Sequence, residues 1–257
     1  MISEKEHIKL ERKFLKEYRE LKYYHGKFLD HNEYGLYGEL DQVLPLDYAV
    51  SSAEDYHQAL MNKINHFRSY TLQLKAWNKL LDGLSDSKKH YYVTEFLEPI
   101  AMSLVNFPYA LRNNFIYCTT MLLHEFGIRN EENFDWEIDK RRIKLSLLNK
   151  YEDLADRYDL KFEELFKRIA GLNRGKINDY RVQFSHRFPL NIEFGISTTM
   201  ASSRSGDKIL FGTSGYGPLK LSEIVNISES EFQRIKVCFY KYDNFVNHLF
   251  IERAKNG

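Results

Sequence analysis

Cysteine is nearly absent from this chain: two residues in 257, Cys118 and Cys238, each inside an apolar helical pattern. That pattern suits reduced thiols in a core better than a disulfide framework or a zinc site. Proline is scarce too, with five residues in all, so long stretches are free to be helical. No apolar run approaches the roughly 20 residues that cross a bilayer, and no charged-then-apolar leader opens the chain. The expectation is therefore a cytoplasmic protein with no membrane partner. Charge imbalance is also missing, because 37 Lys and Arg against 36 Asp and Glu leave a net +1. A globally basic nucleic-acid binder is excluded, whereas a local basic patch is not.

What the chain does have is aromatic mass. Phe and Tyr number 18 each, which implies large interlocking side chains in a helical core or at a subunit interface. The length permits one large domain, and a single domain over 1–257 is expected.

Apolar spacing predicts an all-α (mainly α) helical bundle. A first helix over 3–29 would bury Ile8, Phe14, Leu15, Tyr18, Leu21, Phe28 and Leu29. Gly35, Gly38 and Pro45 mark a connection over 30–52, where His31 to Glu33 reads as a solvated turn. A second helix over 53–81 is capped by Ser51 or Ser52 and followed by Gly83. A third over 85–107 must kink or restart at Pro99. Asn106 before Phe107 and Pro108 reads as the cap of a fourth helix, which buries Leu111, Phe115, Cys118, Leu122 and Phe126 and ends at Gly127. Helical spacing resumes over 138–171, with Asp159 placed to break it in two.

Beyond Pro189 the character changes. Ile192, Phe194 and Ile196 alternate, a Ser/Gly turn follows, and 208–213 returns, so 188–227 reads as a β-hairpin or loop insertion before the last helix. Ser228 with Glu231 reads as the capping box of that helix, which buries Phe232, Ile235, Phe239, Tyr242, Val246 and Leu249. The glycines over 212–217 lack the lysine of a phosphate loop and read as a flexible loop. Glu4 with His7, and Glu54 with His57, have the spacing of di-iron ligands, but both pairs fall in expected first turns, where acids favour the helix dipole. No metal and no cofactor is expected.

The stretch over 177–189, I-N-D-Y-R-V-Q-F-S-H-R-F-P, is the best candidate for chemistry. It lies in a local positive field, since 167–187 holds Lys167, Arg168, Arg174, Lys176, Arg181 and Arg187 against Asp179 alone. A field of that sign suits a phosphate-bearing partner. The structural alternative is that Lys167, Arg168 and Arg174 complement a helix C-terminus. Spacing by itself is weak, because Arg19 and His25 also fit a loose arginine-to-histidine pattern.

Arg181-Val182-Gln183-Phe184-Ser185-His186, with Asn178 and Tyr180 upstream and Arg187 after, resembles the HEPN superfamily, helical domains whose motif is an arginine followed four to six residues later by a histidine. Where many members have Asn, Asp or His after the arginine, this chain has Val182. The resemblance implies a metal-independent endoribonuclease in which two motifs face each other across a homodimer. On that footing Arg181 would hold the scissile phosphate and spread its developing charge. His186 would exchange a proton with the 2′-hydroxyl or the leaving oxygen, and Asn178 would orient either group. Arg187, Lys176 and Arg174 would bind RNA. The products would be a 2′,3′-cyclic phosphate and a 5′-hydroxyl.

On a regular helix five residues turn by about 140°, so Arg181 and His186 would not share a face. They converge only if the helix starts late, at Asn178 or Asp179, or if two chains contribute. Other readings are a non-catalytic helical module that binds RNA, a nucleotide or a protein, and a toxin–antitoxin or defence subunit whose partner is a protein such as an antitoxin.

Overall fold

In a computed structural model the fold is mainly α, with one hairpin among the described residues. Residues 3–25, 29, 48–130, 138–139, 141, 143–186, 191–195, 197–206 and 208–256 are described; for 25, 48–50, 129–130, 183–186, 197–205, 208, 210–216 and 253–256 this covers the backbone alone. The expectations for Phe28, 30–47, 131–137 and 187–190 lie outside the described residues. In chain order the elements are α1 (Glu4–His25), α2 (Tyr48–Leu81), α3 (Asp86–Tyr92), α4 (Glu98–Asn130), α5 (Leu145–Leu148), α6 (Glu152–Arg157), α7 (Phe162–Gly171), α8 (Lys176–His186), β1 (Ser197–Ser205), β2 (Lys208–Tyr216) and α9 (Leu221–Asn256). No described helix is long and apolar enough to cross a membrane.

The chain divides into two compact units, each built from three separate segments. The first takes Met1–Gly26, Ser69–Asn106 and Arg174–Glu229; the second takes Lys27–Arg68, Phe107–Asn173 and Ser230–Gly257.

In the first unit α1 packs through its aromatic line. Phe14 stacks on Trp77 at 4.7 Å, Trp77 on Tyr92 at 5.4 Å, and the Tyr92 hydroxyl meets His7 Nδ1 at 2.9 Å. Ile8 and Leu15 were expected on this buried side but are 41% and 46% exposed. Each lies one position beyond His7 or Phe14, which turns it off the packed line. Ser85 precedes α3 in extended backbone, a single π turn covers Val93–Leu97, and Pro99 sits in the first turn of α4. The chain does not restart there: Tyr92, Val93 and Glu98 are all right-handed helical, and the helix runs on into α4 through the widened π turn, just before the proline that has no N–H to give.

Three boundaries differ from expectation. α2 begins at Tyr48, so Ser52 is a buried residue inside it and not a cap. Pro108 does not open a helix; α4 runs through it. Asn106 Nδ2 donates to the Met102 carbonyl at 2.9 Å instead of capping. An interior proline costs about 3 kcal/mol, whereas each buried Leu or Phe contributes about 1.5–3 kcal/mol. Leu104, Val105, Leu111 and Phe115 are all buried, and continuity of that stripe outweighs the lost bond.

The last boundary concerns α9, which starts at Leu221, seven residues before Ser228. Ser228 is fully buried inside the helix, so it forms no capping box with Glu231. Glu193 takes the capping role from a distance: its Oε1 accepts the Leu221 N–H at 2.6 Å, and Lys220 Nζ lies 3.3 Å from Oε2. The 188–227 insertion therefore ends before α9. Within it, β1 and β2 pair antiparallel from Ser197 opposite Tyr216 to Ser205 opposite Lys208. Over its described residues, 192–195, the expected first strand is not formed. Glu193 and Gly195 adopt positive φ (60° and 90°), and Ile192 makes an isolated bridge to Leu219. Gly212 to Tyr216 belong to β2 and not to a flexible loop.

In the second unit, the expected core residues of α4 and α9 are buried, with Phe115 edge-on to Tyr242 and Phe162 near Phe245. Asp159 (φ 49°) and Lys161 (φ 40°) end α6 and set off α7, the break expected at Asp159. Arg141 lies in a 3-10 turn, and the first α-helical turn of this region begins at Leu145. Cys118 and Cys238 are free and buried, and burial pushes the Cys118 thiol up to about 12.

Candidate nucleic-acid site on helix α8

Helix α8 starts at a glycine. Gly175 takes φ 69°, a conformation that a side chain would strain, and its carbonyl accepts the N–H groups of both Asn178 and Asp179, at 3.0 and 3.2 Å. Asn178, Arg181 and His186 therefore lie on one unbroken helix, Lys176–His186. The late start that would bring Arg181 and His186 together within one chain does not occur. Their backbone positions are separated by about 140° of turn and about 7.5 Å of rise.

Two contacts fix the helix. Ile177 is buried, and the Tyr180 hydroxyl donates to Glu223 Oε1 at 2.7 Å. Burial and then the Glu223 carboxylate raise the Tyr180 pKa, whereas the Tyr180 hydrogen bond and then Lys176 hold Glu223 below the usual carboxylate range. Lys176 Nζ lies 3.3 Å from the same Oε1. Lys176 thus serves as a partner of Glu223 in addition to any role toward phosphate. Sequence reasoning missed Glu223, because 43 residues separate it from Tyr180 and no local pattern announces the pair.

Arg181 is half-buried, and its Nη2 donates a long 3.5 Å hydrogen bond to Asn178 Oδ1. The two share a helical face, three residues apart, which puts the amide oxygen within reach of the guanidinium. Arg174 is exposed. Arg187 and the side chain of His186 lie outside the described residues.

The basic stretch is divided between the units. Lys167 and Arg168 belong to the second unit, whereas Arg174, Lys176 and Arg181 belong to the first. Lys167 pairs with Glu163 at 2.5 Å on the same helix. With Arg168 and Arg234 it lines a pocket of about 360 Å³ floored by Leu172 and Val237. Arg168 lies in the last turn of α7, where a cation complements the helix dipole.

The histidines of the two Glu-x-x-His pairs are engaged elsewhere. His7 reaches Tyr92 and Glu11, and His57 faces Asp243 at 3.5 Å while packing on Phe239. Glu54 stands in the second turn of α2, not the first. Among the described residues no group of three or more His, Cys, Asp or Glu is placed to hold a metal ion. No family model, curated protein or solved structure matches the chain.

Proposed function

We propose that the chain is an endoribonuclease whose site forms when two copies bring their α8 helices together, Arg181 of each copy facing His186 of the other. The observation that carries this reading is the continuity of α8 through Asn178, Arg181 and His186. A helix that splays the arginine and the histidine apart can supply both only to different surfaces of one copy, or to a shared cleft between two. In that cleft the planar guanidinium of Arg181 holds a phosphodiester by paired hydrogen bonds and offsets the charge that builds on its oxygens. His186 removes the 2′-hydroxyl proton as that oxygen attacks phosphorus, or returns a proton to the departing 5′-oxygen. Asn178 holds the guanidinium, and the Tyr180–Glu223 bond holds the helix. The residues in these roles need neither metal nor cofactor.

Cleavage of a mixed-sequence RNA in excess chelator by wild type, Arg181→Ala and His186→Ala tests the reading. Cyclic-phosphate products from wild type, lost in both variants with the fold intact, support it. RNA that is bound but not cut by any form favours a non-catalytic binding module. A stoichiometric co-purifying protein without RNA binding favours the antitoxin-like or scaffold reading.

A further inference from the structure

Helix α1 carries its charge asymmetrically. Lys5, Lys9, Arg12, Lys16 and Arg19 recur at intervals of four, three, four and three residues, so they form one line along the helix, and all are exposed. Lys13 flanks the line. Among the described residues none of these cations takes part in a hydrogen bond or ion pair. The acids of α1 are drawn to the opposite, packed side: Glu6 pairs with Lys88, Glu17 with Lys79 and Glu11 with His7. Glu4 and Glu20 are the acids that remain near the basic line. The next step of four residues reaches Tyr23, which is 83% exposed and meets Tyr24, 74% exposed, edge-on at 5.0 Å. Two neighbouring aromatic rings so open to water are unusual, since tyrosine commonly buries most of its ring. A hollow of about 760 Å³ lies against the first turns of the line, bordered by Glu4 and Ile8 as well as by the cations from Lys5 to Lys16.

We infer that this face of α1 binds single-stranded RNA, with the cations tracking the phosphates and Tyr23 and Tyr24 offering a platform on which bases stack. The line from Lys5 to Tyr23 spans about 27 Å, enough for several nucleotides. A positive groove ending in aromatic rings is the combination that holds single strands without reading their sequence. A lipid surface fits less well, because an interfacial helix needs a free apolar face. The aromatic face of α1 is already committed, Phe14 to Trp77 and Tyr18 to Ser69, and the apolar side chains left exposed, Ile8 and Leu15, are too few to make a second one. Naming RNA among polyanions rests on the function proposed above; the anion-binding face rests on α1 alone.

The test is equilibrium binding of a fluorescent single-stranded RNA across a salt series. Wild type is compared with Lys9→Gln/Arg12→Gln/Lys16→Gln, Tyr23→Ala/Tyr24→Ala and His186→Ala, each checked for unchanged helicity and melting. Removing three phosphate contacts is expected to flatten the slope of log affinity against log salt by about 2. Losing the tyrosines is expected to weaken binding about tenfold. The α1 substitutions should have the same effects in a His186→Ala background, where cleavage is removed, and this separates the site from the α8 chemistry. If the α1 variants bind like wild type, or wild type binds no RNA, the inference is wrong, and cleavage by the α8 motif is judged on its own assay. Capture on phosphatidylserine vesicles that depends on Lys9, Arg12 and Lys16, without RNA binding, would overturn it in favour of a membrane surface.

Discussion

Tyr180 donates its hydroxyl proton to Glu223 across 2.7 Å, tying the helix that bears Arg181 to the opening turns of α9. Hydrogen bonds to a charged acceptor are worth about 1.5–3 kcal/mol, and partial exposure places this one toward the lower end. Tyr180→Phe should lower unfolding free energy by about 1–2 kcal/mol in denaturant titrations. The pH dependence follows from the lowered Glu223 pKa. A carboxylate held below its unfolded value stabilises the fold above that unfolded value and loses the contribution as pH falls through its folded value. The gap between wild type and Tyr180→Phe should therefore be full at neutrality and close in acid. A gap unchanged at low pH would show that the carboxylate is not the acceptor that matters.

Glu193 caps α9 from outside the helix, in a left-handed backbone conformation. Loss of a capping acceptor typically costs about 1 kcal/mol. Glu193→Ala should destabilise by that order, and Glu193→Gln, which keeps a carbonyl acceptor but not the charge facing Lys220, by less. Equal losses in the two variants would mean that the cap itself contributes little.

Glu231 is 2% exposed, and burial raises its pKa, against the pull of Arg234 at 2.9 Å. A carboxyl whose folded pKa is raised weakens the fold as pH climbs from its unfolded to its folded value, because the charged form is disfavoured inside. Glu231→Gln cannot ionise. Its melting temperature relative to wild type should rise from pH 4 to pH 8, and a relative fall over that range would contradict the assignment.

Long apolar stripes were legible because burial repeats at every turn. The buried line from Phe232 through Leu249 in α9 and that from Leu111 through Phe126 in α4 lie where periodicity places them. Boundaries were less legible. Ser228 and Asn106 carry local cap chemistry worth about 1 kcal/mol, which a continuous buried stripe several times larger overrides. The strand expected from Ile192 onward has the right alternation, but Glu193 is bent away to reach the first residue of α9, 28 residues on. At the site, the motif helix and the Asn178–Arg181 contact could be anticipated from spacing. Its anchor at Glu223 and the split of the basic stretch between two units depend on tertiary placement that no local pattern encodes. The cationic line of α1 is equally present in the sequence, on the side of the helix that its buried aromatic positions leave to solvent.

The pairing of Arg181 with a second copy's His186 is tested most directly by complementation. Arg181→Ala and His186→Ala chains are mixed after denaturation and refolded together, and RNA cleavage is measured in chelator. Each variant alone should be inactive, whereas a mixed dimer holds one cleft with both side chains intact, so the mixture should regain part of the wild-type activity. A mixture as inactive as its parents, beside an active wild type refolded in the same way, would contradict a site shared between two copies.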